Sequence, residues 1–506
     1  MKKIRNLLLV IILFNFNLIK SSIIDTLNKT DPIPVFTSAF PYTYLYTNEK
    51  EYLKGKRQNC DPQYLSLSVS AYFQKANRGK NLDKKRAQLG DLTGRWNMIA
   101  ALPLNDPSQP DVPTGHAFPA EFTTVANNLL SCAKTITSPT TGGKIPTELT
   151  TIPGIISLQP PYDLLGFFTV PIKYHKKGVR FQAEGRLFRD VGIAAQFGVS
   201  NISQLAQFVD LTTTPSGCVP TGCITEICPT NTNPPLNCLN PFSTNQFTNA
   251  NWKQFVNCVH RQVMDQLQDL ASASGIDLCN FNRSSIEDFH IEAFWRHAFP
   301  IDRNDTYCIA PFLFIPFASV GGSFGFGDGI DPNLIFSVPF GNNKHNAVRF
   351  NAGFTLDFYE TIEIGAHAGM AHFFDRDFKG YRVPNNMFQS EFYPFTTDVK
   401  ISPGDTWHIG FLMNAYHFLE CLSVYLEYLY VVHNRDKICL LKPDPSNVFR
   451  PQDLECKSPW SVQLLNVGFN YDISPNFALG FFTQIPLQQK NAYRSTTYMF
   501  SLEMTY

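Results

Sequence analysis

Thr496-Thr497-Tyr498-Met499-Phe500-Ser501-Leu502-Glu503-Met504-Thr505-Tyr506 closes the chain and decides how the rest is read. Tyr498, Phe500, Leu502, Met504 and Tyr506 are large and apolar at every second place, and the residues between them are mostly polar. A period of two is a strand with one greasy and one wet face. About ten residues of such a strand, tilted, cross a bilayer. The pattern recurs just upstream. Leu465, Val467, Phe469 and Tyr471 precede the turn Asp472-Ile473-Ser474-Pro475-Asn476, and Phe477, Leu479 and Phe481 follow it.

Composition agrees with strands that face lipid. Of 506 residues, 44 are Phe and 20 are Tyr, as a lipid-facing band with aromatic girdles requires. Charged residues are 17%, below the roughly 25% of soluble domains. Lys+Arg and Asp+Glu are equal at 42 each, so no net field attracts nucleic acid. Beyond the N-terminus no run of 18 apolar residues offers a helical span. A chain that crosses lipid without such helices must be a closed barrel, because only closure satisfies every backbone group.

A terminal amphipathic strand ending in an aromatic resembles the closing strand of Gram-negative outer-membrane β-barrels. The resemblance implies that Tyr498, Phe500, Leu502, Met504 and Tyr506 are an assembly signal read by the barrel-assembly machinery. It also implies residence in the bacterial outer membrane, among its lipids.

At the other end, Met1-Lys2-Lys3-Ile4-Arg5 is a basic head and Leu7–Leu18 an apolar core, with small residues at Ser21-Ser22. Residues 1–22 therefore read as a signal peptide. Residues 23–62 are weakly patterned. Residues 63–506 read as one antiparallel barrel of about fourteen strands, with twelve to sixteen as the range. Two inserts interrupt it. Pro103, Pro107, Pro110, Pro113 and Pro119 break regular structure in 103–165, where Phe122, Val125, Ala126, Leu129 and Leu130 have helical spacing. The second insert, 201–285, is expected to carry a helix over 251–270, with Phe255, Val259, Val263, Leu267 and Leu270 on its apolar side.

Strands are expected at Leu65–Phe73, Trp96–Leu102, Gly166–Tyr174, Val179–Phe188 and Gly192–Ser200. Nine more follow from Ile286 to the C-terminus. Ala347–Phe358 alternates most cleanly. From it onward the connections alternate between short and long, which is the layout of barrels with tight turns on one rim and loops on the other.

Twelve cysteines in an exported chain favour disulfides. Six lie in the second insert: Cys218, Cys223, Cys228, Cys238, Cys258 and Cys279. Their spacing does not match the short pairs of a zinc site. Cys421 stands at a short turn, away from the others, as a free or intermolecular thiol. No G-x-S-x-G, H-E-x-x-H or phosphate loop is present, so neither an enzyme nor a metal or other cofactor is expected. Asp328 and Asp331 supply two carboxylates, which is too few for a calcium loop.

Strand alternation assigns Arg349, Asn351, Thr355, Asp357, Glu363, His367, His408, Asn414, Ser423, Glu427, Asn470 and Glu503 to the lumen. That set mixes both charges with amides. The function expected from it is a porin-like channel for diffusion of small polar solutes. The alternative is a surface structural or adhesion protein anchored by a plugged barrel.

Overall fold

A computed structural model describes residues 65–103, 112–137, 167–188, 190–210, 258, 260–301, 310–358, 361–386, 389, 391–419, 421–474 and 476–505. The expected signal peptide, the segment 23–62, Tyr506 and Cys218, Cys223, Cys228 and Cys238 lie outside these residues. The architecture is a single antiparallel sheet rolled into a ring.

Twelve strands make the ring: β1 (Leu65–Ala76), β2 (Ile172–Phe188), β3 (Val191–Ala206), β4 (Phe289–Arg296), β5 (Phe312–Phe324), β6 (Ala347–Phe358), β7 (Ile362–Phe373), β8 (Thr406–Leu419), β9 (Leu422–His433), β10 (Trp460–Ser474), β11 (Phe477–Lys490) and β12 (Thr496–Thr505). Each pairs antiparallel with the next in sequence. The ring closes between the first and last strands, where Ala71 faces Phe500 and Leu67 faces Met504. Closure leaves no sheet edge, which is what lipid demands of a backbone.

The count is twelve and not fourteen, for two reasons. The end of the first expected stretch, Ile172–Tyr174, and all of Val179–Phe188 belong to one strand, β2, while Phe167–Thr169 is a short strand of a separate small sheet. His175-Lys176-Lys177-Gly178, read as a turn, is paired on both sides, with Lys176 opposite Gln74 of β1 and Ile202 of β3. Its charge is not a turn signal, because Lys176 points inward to a carboxylate, Glu287, at 2.6 Å. Trp96–Leu102 is not a barrel strand either. It forms a two-residue bridge and a 3-10 turn whose Trp96, Met98, Ile99 and Ala101 are buried outside the ring. Two short strands, Phe281–Ile286 and Phe299–Pro300, pair onto β3 and β5 without entering the ring.

One rim carries the tight turns around 189–190, 359–361, 420–421 and 475–476, with a longer connection at 297–311. The opposite rim carries the connections 77–171, 207–288, 325–346, 374–405 and 434–459. Both expected inserts leave from this second rim. The second starts later than expected, because β3 runs to Ala206. Around the outside of the ring Leu67, Val69, Phe73, Phe181, Phe197, Phe350, Phe354, Ile409, Phe411, Phe469, Phe500 and Leu502 are exposed. Exposed apolar residues at this density, on one face of every second position, form the belt expected of a bilayer-facing wall.

The described parts of the long connections fold into a cap with its own core. Helix α1 (Ala120–Thr137) buries Phe122, Val125, Ala126 and Leu129 against α2 (Leu267–Ala273), which buries Leu267, Leu270 and Ala271. The same cluster reaches Tyr174 of β2 and Ile202 of β3, so the cap core is continuous with the strand ends. Of the helix expected over 251–270, residues 251–257 and 259 lie outside the described residues, and over the described part it is not continuous. A π turn, His260–Met264, precedes α2, and the wider turn lets Val263 and Met264 both reach the core that α2 fills. Arg382 closes the far end of α2, donating to the carbonyls of Ser274 at 2.9 Å and Gly275 at 3.0 Å. A small sheet of Arg376–Arg382, Thr396–Ser402 and Lys437–Leu440 joins two loops that alternation left as separate, over a second core that includes Tyr393, Phe395 and Leu454. Helix α3 (Pro451–Lys457) packs there, with Pro at its first position.

The disulfide expectation is corrected at one position: Cys279 is a free, exposed thiol, as are Cys421 and Cys439. Cys258 and Cys456 are not free.

Candidate functional site: the barrel lumen

Every second residue of each strand points away from the apolar belt into the ring. All twelve residues assigned to the lumen from sequence stand on that face. Most are buried there: Thr355, Asp357, Glu363, His367 and Glu427 are at most 3% exposed. Asn351, Ser423 and Asn470 are half-buried. Tyr498, Phe500, Leu502 and Met504 stand on the opposite, outer face of β12. A water-filled tube would leave the inner wall wet, so this lumen is filled by its own side chains.

Three networks fill it. Near the tight-turn rim Glu363 accepts from Thr355 Oγ1 at 2.5 Å and Tyr416 Oη at 2.6 Å, with Arg296 at 3.8 Å. Midway, His367 Nε2 lies 2.8 Å from Glu427 Oε1, and Asn466 Nδ2 donates to Glu427 Oε2 at 2.5 Å. The imidazole of His408 lies 5.5 Å from that of His367 and 3.3 Å from Asn351 Oδ1. Room for these rings comes from glycines: a Cβ at Gly410 would collide with His367, and one at Gly369 with His408.

The third network was not legible, because its centre lies outside the regular strands. Glu287 sits between Phe281–Ile286 and β4, and its N–H donates to Gly198 of β3 at 2.8 Å. Its carboxylate reaches inward and accepts from Arg180 Nε at 2.7 Å and Tyr72 Oη at 2.5 Å, besides Lys176. The next residue, Asp288, accepts from the N–H groups of Asn342 and Gly327 and so fastens the 325–346 loop to the lumen. Arg180 also lies 4.6 Å over the Tyr72 ring.

The second feature missed is an apolar layer. Tyr72, Leu412, Tyr425, Phe482 and Met499 project inward from β1, β8, β9, β11 and β12 and form one buried cluster. Register places four of them in a single row: Tyr425 and Phe482 each pair with Gly468, Phe482 faces Met499, and Met499 faces Tyr72. Gly178 continues the row, and a Cβ there would press on the Tyr72 ring. A signal for this layer existed in Phe411-Leu412-Met413, Phe481-Phe482 and Tyr498-Met499-Phe500, where apolar residues follow one another without alternation. Such a run puts apolar side chains on both faces at one level.

Among the described residues no group of three His, Cys, Asp or Glu side chains is arranged to hold a metal.

The fold and lumen define the class as closed antiparallel membrane-type barrels with a filled interior and a loop cap. No protein-family model matches the chain, and no curated protein matches it. Solved structures resemble it at low identity. An outer membrane channel from Pseudomonas putida is 8% identical over 88% of this chain and 96% of that one, with a TM-score of 0.41. The translocator domain of the autotransporter NalP from Neisseria meningitidis is 8% identical over 91% and 96%, at 0.31. A Pseudomonas aeruginosa FadL homologue is 8% identical over 88% and 90%, at 0.26. These neighbours are outer-membrane barrels, and likeness at such scores carries no argument about residues or solutes.

Proposed function

We propose that this protein is an outer-membrane channel with a closed resting state, passing small polar solutes only when its lumen opens. The observation that supports this most is the inner wall, where carboxylates, imidazoles, guanidinium groups and amides succeed one another from Glu363 at the tight-turn rim to Arg180 and Glu287 further in. Buried charges are costly in a structure that needs them for nothing but packing. A permanently open, porin-like pore is disfavoured by the burial of the same residues. Purified protein in a planar bilayer is expected to give rare, brief openings in place of steady conductance. Steady multi-channel current would restore the open-pore reading.

A second reading rests on the cap. Its two apolar cores and three helices exceed what a gate requires, and a plugged barrel that displays this cap to a partner fits them. Complete silence in the bilayer, for the wild type and for variants with a thinned apolar layer, would favour that anchor reading.

A further inference from the structure

On the outer wall of β1 and β2, just beyond the apolar belt and toward the cap, four basic side chains meet. Lys75 pairs directly across to His175. Lys173 and Lys177 flank His175 on the same face of β2, two residues to either side. All three lysines are exposed, and none has a salt-bridge partner among the described residues. On the outer face at this level the flanking strands offer no carboxylate. Thr496 of β12 lies opposite Lys75, while Asn201 and Ser203 of β3 lie opposite Lys177 and His175. Like charges placed side by side on one sheet face repel. The bare barrel therefore carries a local cost that a bound anion offsets.

What lies below the patch identifies the anion. Phe73 lies opposite Lys177 at the lower edge of the patch and stacks on His175 at 5.8 Å, while Ala71 and Val179 form the next outward pair, roughly 7 Å nearer the tight-turn rim. Phe181 and Phe197, stacked at 5.1 Å, extend the apolar surface. An anionic head above and hydrocarbon below is the shape of one amphiphile. We infer that Lys75, Lys173, His175 and Lys177 form a binding site for the phosphate groups of a lipid whose acyl chains lie on the belt beneath. The inference rests on the membrane-barrel reading and adds a specific lipid contact to it.

The test uses the full chain in dodecyl maltoside, titrated with diphosphoryl lipid A, with bound lipid counted by native mass spectrometry. Lys75→Gln, Lys173→Gln and Lys177→Gln together are expected to weaken binding by roughly a hundredfold, since three lysines at a lipid surface contribute about 1 kcal/mol each. Lys84→Gln, Lys85→Gln and Lys379→Gln make the same charge change on exposed cap loops and are expected to leave binding intact. Dephosphorylated lipid A is expected to bind as weakly as the first triple variant binds the phosphorylated form. Equal weakening by both triples, or equal binding of the dephosphorylated lipid, would overturn the site. Displacement of the lipid by millimolar inorganic phosphate would assign the patch to free phosphate instead. Failure of the wild type to insert into phosphatidylcholine vesicles would sink the barrel reading and this inference with it, whereas insertion with unselective lipid A binding sinks this inference alone.

Discussion

Glu287 holds two cations, Lys176 and Arg180, and all three side chains are buried in the lumen. Glu287→Gln keeps the shape and removes the charge. The two cations are then left buried with one partner fewer, a change that costs about 3–5 kcal/mol where the surroundings are dry. Urea unfolding in micelles, followed by heat-modifiable gel migration, reads this directly. A loss below about 1 kcal/mol would mean that water reaches the site. On the outer wall the sign of a charge substitution is set by lipid. Phe354 lies on the belt, and Phe354→Lys is expected to cost about 2–4 kcal/mol near the midplane. Its neighbour Thr355 faces inward and donates to Glu363. Thr355→Val removes that donor and is expected to cost about 1–3 kcal/mol, the usual range for a buried group left short of a partner. Equal, negligible effects at both positions would contradict the assigned sidedness.

At the scale of elements, the cap is a folded unit whose hold on the barrel depends on pH. Glu391, in the 374–405 loop, accepts from the Thr93 hydroxyl. Burial pushes its carboxyl up to about 8, against the pull of Lys457, and nearby Asp91 adds to the rise. Burial likewise raises Asp91 to about 6, although Thr169 and the Val170 N–H donate to it. Both groups hold a proton in the folded cap that the unfolded chain releases at lower pH. Stability linked to them is therefore whole below the ordinary carboxylate range and falls as pH rises, from about 4 to 6 for Asp91 and from about 4.5 to 8 for Glu391. Protection of the α1 amides, taken relative to the intrinsic rise of exchange with pH, should fall between pH 5 and pH 8, and Glu391→Gln should flatten that fall. An unchanged profile in the variant would remove Glu391 as its source. Glu391 also adopts a φ of 65°, in the left-handed region that costs energy for any residue with a Cβ. Within the same unit, Leu270→Asp places a charge in the core that α1 and α2 share. It is expected to expose the cap loops to protease while the ring of strands stays resistant.

For the whole molecule the question is what keeps the lumen shut. The layer of Tyr72, Leu412, Tyr425, Phe482 and Met499 crosses the lumen beside the His367–Glu427 network. An apolar constriction excludes water even where charged groups lie near it. Leu412→Ser with Met499→Ser should wet the layer and raise the frequency of bilayer openings at least severalfold. Leu429→Ser, at a buried position outside this layer, is the control. Openings unaffected by the double variant would place the barrier in the cap. Deletion of 211–257, which removes none of the described lumen contacts, tests that segment by itself: a rise in conductance on deletion alone makes 211–257 the barrier.

The sequence by itself determined the barrel. Alternation in Ala347–Phe358 and Thr496–Tyr506, aromatic richness and the lack of long apolar runs are local properties, and closure follows from what lipid permits. It also determined which side of each strand is greasy, because a period of two leaves no other choice. Only the tertiary structure decided that there are twelve strands and that the lumen is filled. Lys176-Lys177-Gly178 reads as a turn until Glu287, 111 positions away from Lys176, is seen to neutralise the first lysine. Trp96–Leu102 reads as a strand until the cap core claims its side chains. Leu412, Phe482 and Met499 are each one apolar residue among polar neighbours on the inner face. They become a layer only when strands far apart in sequence bring them to the same level, because register across a closed ring is a property of the ring and of no single strand.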